Sequence, residues 1–339
     1  MITEEEKEIL EIPGVTGTFV KDGVRYILLK EMVPLSQIEA FERRGWKVLV
    51  SGEFTPLIKT GEVGPLERRG KYRPIVGGIS IGHPKITAGT LGILMKDKDG
   101  NIVILSNNHV LACSSSDRKK RAEKGDVIIQ PGKYDGGNVT KDGVGVLTDW
   151  IPIAEWSYNE VDAAIAKVID GVQWKNEILD LGKPKGIRYD VKEYETLVKS
   201  GRTSEITRGP VYAKGATVSV NYGDFVAYFT NQILVINPFG QPGDSGSAVF
   251  DKDMNLIGLL FAGSMSHTVV CPIKKIIETW GLKLIDEEAP PPTPPGGKGY
   301  KGKGKGKGKA KGYATVGDYK IPIDLDIEFE EVEEGVIEE

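Results

Sequence analysis

The stretch 241-QPGDSGSAVF-250 holds a serine placed for nucleophilic chemistry. Ser245 stands between Asp244 and Gly246, in a Gly- and Pro-bearing loop that feeds an apolar strand from Ser247 to Phe250. A serine hydroxyl is a weak nucleophile at neutral pH. To attack a carbonyl it needs a base within hydrogen-bond reach, and the base needs an orienting carboxylate. Gly243 can take a backbone conformation that turns its N–H toward the same point as the N–H of Ser245. Two such donors would stabilise the oxyanion of a tetrahedral intermediate. Taken alone, the tetrapeptide is equally a Gly-rich turn between two strands, so the base and the carboxylate decide.

The chain has three histidines. His109 follows an apolar strand and the polar Ser106, Asn107 and Asn108 in 102-IVILSNNHVLA-112. A lone histidine after a strand is more often structural than catalytic. Asp162 opens the otherwise apolar 160-EVDAAIAKV-168. An isolated carboxylate there is costly unless it is paired or lies at the mouth of the strand in water. His83 precedes Pro84 in a turn and is assigned no chemistry.

Together these segments resemble those of the trypsin-like serine peptidases of the chymotrypsin-fold superfamily. They are most similar to the narrow-leaf-like serine peptidases of bacteria and plants. The resemblance rests on N-N-H-V at His109, D-A-A-I-A at Asp162 and G-D-S-G at Ser245, and on their order, which differs from the α/β-hydrolase and subtilisin orders. The segments 79-ISIGHPKITAGTLGIL-94 and 197-LVKSGRTSEITRGPV-211, with its Gly-Arg-Thr element, also resemble that group. The likeness spans roughly residues 73–284. It implies a mainly β chain of two six-stranded antiparallel barrels, with His109, Asp162 and Ser245 as catalytic residues in the cleft between them. It implies an oxyanion hole from the N–H groups of Gly243 and Ser245. By the same alignment, Phe239, Phe261, Gly263 and His267 fall at the primary specificity pocket. Phe239 stands where an acid is expected in enzymes that cut after Lys or Arg, so apolar or small side chains are the expected preference. His267 is either a pocket histidine or a surface one, the latter favoured.

Composition agrees with a soluble globular chain: 40% hydrophobic residues, 27% charged and a net charge of −4. That charge does not suggest a nucleic-acid binder as a whole. No apolar run approaches bilayer length. The acidic start, 1-MITEEEKEIL-10, lacks the apolar core of a secretory signal. There are two cysteines, Cys113 and Cys271, both expected to be free thiols. Secreted peptidases of the resembled fold carry several disulfides, so a reducing, cytoplasmic setting is expected.

In chain order, residues 1–55 read as a small α+β module. It has an acidic lead, two strands around Asp22-Gly23, a helix from about Ser36 to Gly45, and a strand 47–54. Packing appendage is the favoured role, and control of access to the cleft the sharper one. Residues 56–72 form a connector whose Arg68-Arg69 pair is expected in a solvated loop. The domain proper covers 73–286, with barrel 1 about 73–170, barrel 2 about 197–273 and a closing helix about 274–280. The polar stretch 113–126 is expected to be exposed. Residues 287–318, Pro-rich and then Lys-Gly-rich with seven lysines from Lys298 to Lys311, read as a flexible linker. Residues 319–339 read as an acidic amphipathic strand that docks on a sheet.

Serine endopeptidase is the function this implies, acting on protein or peptide substrates with no cofactor and no metal. The competing reading is a catalytically silent scaffold of the same fold, binding partners through the N-terminal module and the charged tail. Membrane association is not expected, and nucleic-acid contact only weakly and non-specifically through the Lys-Gly tract. Asp244 is expected to find a partner other than a newly cut N-terminus, so that the site forms without cleavage.

Overall fold

The computed structural model describes residues 2–57 and 66–286, and the backbone of residues 307–316 and 319–328. The protein is mainly β. In its second half, strands Thr196–Gly201, Glu205–Asn221, Val226–Ile236, Ala248–Phe250, Asn255–Gly263 and His267–Pro272 pair antiparallel. The pairing of Glu205–Asn221 with Val226–Ile236 closes these six into a ring. Glu205–Asn221 is one long strand, bent where its register shifts beside Gly215, at φ 70°. Side chains on alternate positions fall into two buried clusters. One holds Phe229, Phe250 and Phe261; the other holds Val235, Phe239 and Leu260.

The first half is built on a five-stranded antiparallel sheet: Ile93–Lys96, Ile102–Ser106, Val127–Ile129, Gly143–Trp150 and Ala164–Val168. A sixth side comes from the short pair Ser80–Ile81 and Gly89–Thr90. This pair meets the sheet at a Gly82–Ile129 bridge on one edge and at the Gly92 N–H to Leu105 carbonyl bond, 3.1 Å, on the other.

Buried arginines clasp the halves together. Arg202, of the Gly-Arg-Thr element, donates through Nε to Asp135 at 2.6 Å, and its backbone N–H donates to Thr90 Oγ1 at 3.1 Å. Asp135 also accepts the Ser80 hydroxyl at 2.6 Å. Arg68 does not lie in a solvated loop. It lies within the short helix Leu66–Arg69 with its side chain buried, donating to Ser200 Oγ at 2.7 Å and to the carbonyls of Gly78 and Gly201. A desolvated guanidinium with five donors needs several acceptors, and the junction supplies them. The polar stretch 113–126 is not uniformly exposed either: Ser115 is buried and accepts the N–H groups of Arg121 and Ala122.

The N-terminal segment holds a helix, Glu4–Leu10, whose start is closed by reciprocal bonds between Thr3 and Glu6. Strands Val15–Lys21 and Val24–Leu29 follow, joined by Asp22 (φ 50°) and Gly23 (φ 74°), the left-handed pair that a two-residue hairpin requires. Helix Leu35–Arg43 starts after Pro34. Strand Trp46–Val50 lies parallel to Val24–Leu29. Val15–Lys21 pairs antiparallel with Glu205–Asn221, so this segment extends the second sheet. At the other end, helix Ile273–Trp280 is stopped by Gly281 at φ 61°.

The Lys-Gly tract departs from the expected disorder in the part that is described. Lys307–Val316 is a strand paired antiparallel with Tyr319–Glu328, so the acidic strand finds its partner in that tract. The register sets Lys307, Lys309 and Lys311 opposite Glu328, Asp326 and Asp324. The connector from 58 to 65, the linker from 287 to 306 and the end from 329 lie outside the described residues.

Candidate active site

Three loop ends bring His109, Asp162 and Ser245 to the junction of the two halves, and all three side chains are wholly buried. Strand Ile102–Ser106 passes into a one-turn helix, Asn108–Leu111, that carries His109. Asp162 precedes strand Ala164–Val168, which pairs with Ile102–Ser106. Asp162 and His109 therefore meet where two neighbouring strands end. His109 Nδ1 lies 2.6 Å from Asp162 Oδ2, and the His109 N–H donates to Asp162 Oδ1 at 3.2 Å. The Asn107 amide fixes the Asp162 carbonyl at 2.7 Å. Tyr222 donates its hydroxyl to Asp162 Oδ2 at 2.7 Å. Burial first, and then the neighbouring Asp162 charge, push the Tyr222 phenol well above its ordinary range, so it stays a donor. Nothing in the sequence marked Tyr222 for this role.

His109 Nε2 is buried and has no hydrogen-bond partner among the described residues. The Ser245 hydroxyl donates instead to the Phe261 carbonyl at 3.0 Å. The loop around it is held by two glycines in the left-handed region, Gly243 (φ 101°) and Gly246 (φ 94°). At Gly246 a Cβ would sit 2.1 Å from Ser106 Oγ and 2.4 Å from the Thr90 carbonyl, so only glycine fits. Asp244 beneath the loop pairs with Lys199 Nζ at 3.0 Å and accepts the N–H groups of Thr203 (2.8 Å) and Ser204 (3.1 Å). Burial works against the Asp244 carboxylate. The Lys199 charge and the Ser204 hydroxyl outweigh it, and hold its pKa below the ordinary carboxylate range. Asp244 thus has an internal cation, Lys199, which the sequence did not single out.

The cleft beside Ser245 is occupied by the chain itself. Thr55–Pro56 runs antiparallel to the strand Asn255–Gly263, with Pro56 opposite Ala262 and Thr55 opposite Gly263. The Leu57 N–H donates to the Phe261 carbonyl at 3.2 Å, and its own carbonyl accepts the Gly243 N–H at 2.5 Å. The Leu57 side chain is buried in the cluster of Phe239, Val235 and Leu260. Burying such a side chain contributes about 1.5–3 kcal/mol. Cβ atoms at Gly240 and Gly263 would approach Leu57 to 3.0 and 3.1 Å, so these two positions leave the space that Leu57 fills.

Of the four pocket residues expected, Phe239 and Gly263 lie with Leu57. Phe261 contributes its carbonyl; its ring packs on Phe229, centroids 4.7 Å apart, in the other cluster. His267 faces away from the pocket and is not on the surface. Its neighbour Thr268 reaches the Gly240 N–H at 3.0 Å, and adjacent strand residues face opposite sides. The His267 ring meets Ser266 Oγ at 2.7 Å and the Tyr212 ring, and burial pushes its pKa down to about 4. His83 is held between Asp126 (3.0 Å) and the Lys85 N–H (3.1 Å), away from this site. Cys113 and Cys271 are both free thiols.

No protein-family model matches the chain, and no curated protein matches it. Among solved structures, the Nocardiopsis protease matches with 16% identity and a TM-score of 0.45, over 62% of this chain and 98% of that one. Thermobifida fusca protease A matches with 15% identity and a TM-score of 0.45, over the same shares. A glutamic acid specific serine protease matches with 20% identity and a TM-score of 0.45, over 62% of this chain and all of that one. The solved structures so matched are chymotrypsin-fold serine proteases, the group that the sequence motifs resemble.

Proposed function

We propose that this protein is a serine endopeptidase in which Ser245 is the nucleophile and His109 the general base. The observation that carries this reading is the buried His109–Asp162 pair. With Nδ1 bound to Asp162 at 2.6 Å, the imidazole is held in the tautomer that leaves Nε2 as an acceptor, and Nε2 has no partner among the described residues. For the reaction the Ser245 hydroxyl leaves the Phe261 carbonyl and turns about χ1 to donate to that nitrogen. His109 then takes the Ser245 proton as Oγ attacks the substrate carbonyl carbon. The N–H groups of Gly243 and Ser245 stabilise the oxyanion. Collapse expels the amine, which takes its proton from His109, and water completes hydrolysis of the acyl-enzyme by the same route in reverse. Asp162, held by Tyr222 and Asn107, stabilises the imidazolium formed on the way.

A reducing, cytoplasmic setting belongs to this proposal and is supported by two free cysteines. The test is hydrolysis of short peptides by the full chain, its Ser245→Ala form and its His109→Ala form. Each substitution should lower turnover by at least about four orders of magnitude, and the double variant little further. Full turnover by Ser245→Ala would reject the assignment.

A further inference from the structure

We propose that residues 54–57 occupy the peptide-binding cleft as a built-in substrate segment. The substrate class is then an extended peptide with a leucine-like residue on the acyl side of the cut, and the turnover of the intact chain is lowered in cis by its own segment. This rests on the peptidase reading above and adds to it the identity of what the cleft takes.

Four features of the segment are those of a bound peptide. Its backbone extends a sheet edge, with Thr55–Pro56 antiparallel to Ala262–Gly263. Its last described amide donates to the Phe261 carbonyl, the acceptor that Ser245 Oγ also uses, so Leu57 and the serine hydroxyl converge on one atom. Its carbonyl points at the Gly243 N–H, two residues from Ser245, where a developing oxyanion would be stabilised. Its side chain enters an apolar pocket whose rim, Gly240 and Gly263, has no Cβ to obstruct it. An aspartate, lysine or glutamate in that position would lose its hydration without gaining a partner among Phe239, Val235 and Leu260.

The segment is anchored from the N-terminal side. Phe54 is fully buried, and its carbonyl accepts the Asn221 N–H at 3.0 Å. The Ser51 carbonyl accepts the Ser266 hydroxyl at 3.1 Å. The module therefore does more than pack: it delivers Leu57 to the cleft at a high local concentration. With the segment in place, the serine hydroxyl is bound to the Phe261 carbonyl, and the histidine acceptor has no partner among the described residues. The loop itself needs no cut to form, because Lys199 already neutralises Asp244.

Leu57→Asp should expel the segment, and Leu57→Gly should loosen it without adding a charge. On a short peptide amide with leucine before the leaving group, both full-length variants should exceed the unmodified chain in kcat/KM by about tenfold or more. Both should prefer that substrate to its lysine and glutamate counterparts. Equal rates in all three chains, or a preference for lysine or glutamate, would overturn the proposal. A second measurement does not depend on turnover. A fluorescein-labelled Phe-Thr-Pro-Leu amide should bind the Leu57→Asp, Ser245→Ala chain about tenfold or more tighter than the Ser245→Ala chain. Equal binding would overturn the occupied cleft. A difference in binding without hydrolysis by any chain would leave the occupied cleft standing and reject the peptidase reading instead.

Discussion

Lys199 and Asp244 form an ion pair of 3.0 Å with both side chains wholly buried, directly beneath the Ser245 loop. Such a pair is weak evidence of stability as a whole, but removing one partner strands the other charge. Lys199→Met should therefore lower the unfolding free energy by about 3–5 kcal/mol and slow covalent labelling of Ser245. Urea denaturation monitored by tryptophan fluorescence measures the first, and a loss below about 1 kcal/mol would show that Lys199 is not what compensates Asp244.

Tyr222 should matter to turnover more than to folding. It is the third donor to the Asp162 carboxylate, after His109 Nδ1 and the His109 N–H. A hydrogen bond to a charged acceptor contributes about 1.5–3 kcal/mol, so Tyr222→Phe should lower kcat/KM by about tenfold or more. Steady-state kinetics on a short peptide would check it. An unchanged kcat/KM would mean that Asp162 is held well enough without the phenol.

That His109, Asp162 and Ser245 lie together at the junction of the two halves was legible in the sequence, because the motifs around them carried residue type and order together. All three stand at the ends of strands that read as short apolar runs. The Asp22-Gly23 turn was legible for a local reason: it needs left-handed backbone. Tyr222, Lys199 and Leu57 were not legible. Each acts through a partner far along the chain, and no local pattern distinguishes them from ordinary strand residues. His267 and Phe261 were misplaced for a related reason, since a shift of one strand position moves a side chain to the opposite face. The acidic terminal strand did reveal its alternation, but its partner, the Lys-Gly tract, was hidden by a composition that reads as disorder.

Stability should fall in acid through His267. Its folded pKa is pushed down to about 4 from an ordinary 6.5, so between those values the unfolded chain binds more protons than the folded one. Stability contributed by the neutral imidazole is present above about pH 6.5 and is lost as pH falls toward 4, amounting to about 3 kcal/mol at most. His267→Gln should flatten the pH dependence of urea midpoints across that window. An equally steep dependence in the variant would assign the acid sensitivity to other groups.

The C-terminal hairpin should be separable from catalysis. Lys307–Val316 and Tyr319–Glu328 pair with each other in a sheet of their own. A chain ending at Asp286 should hydrolyse short peptides as the full chain does, while its self-association or recruitment changes. Loss of turnover on a short peptide would make the tail part of the enzyme.

The most direct measurement is covalent labelling with a fluorophosphonate, followed by mass-spectrometric mapping of the adduct, on the full chain and its Leu57→Asp form. The predicted result is a single adduct on Ser245, faster in Leu57→Asp, strongly slowed by His109→Ala and absent in Ser245→Ala. Labelling that persists in Ser245→Ala, or that falls on another residue, would contradict the account.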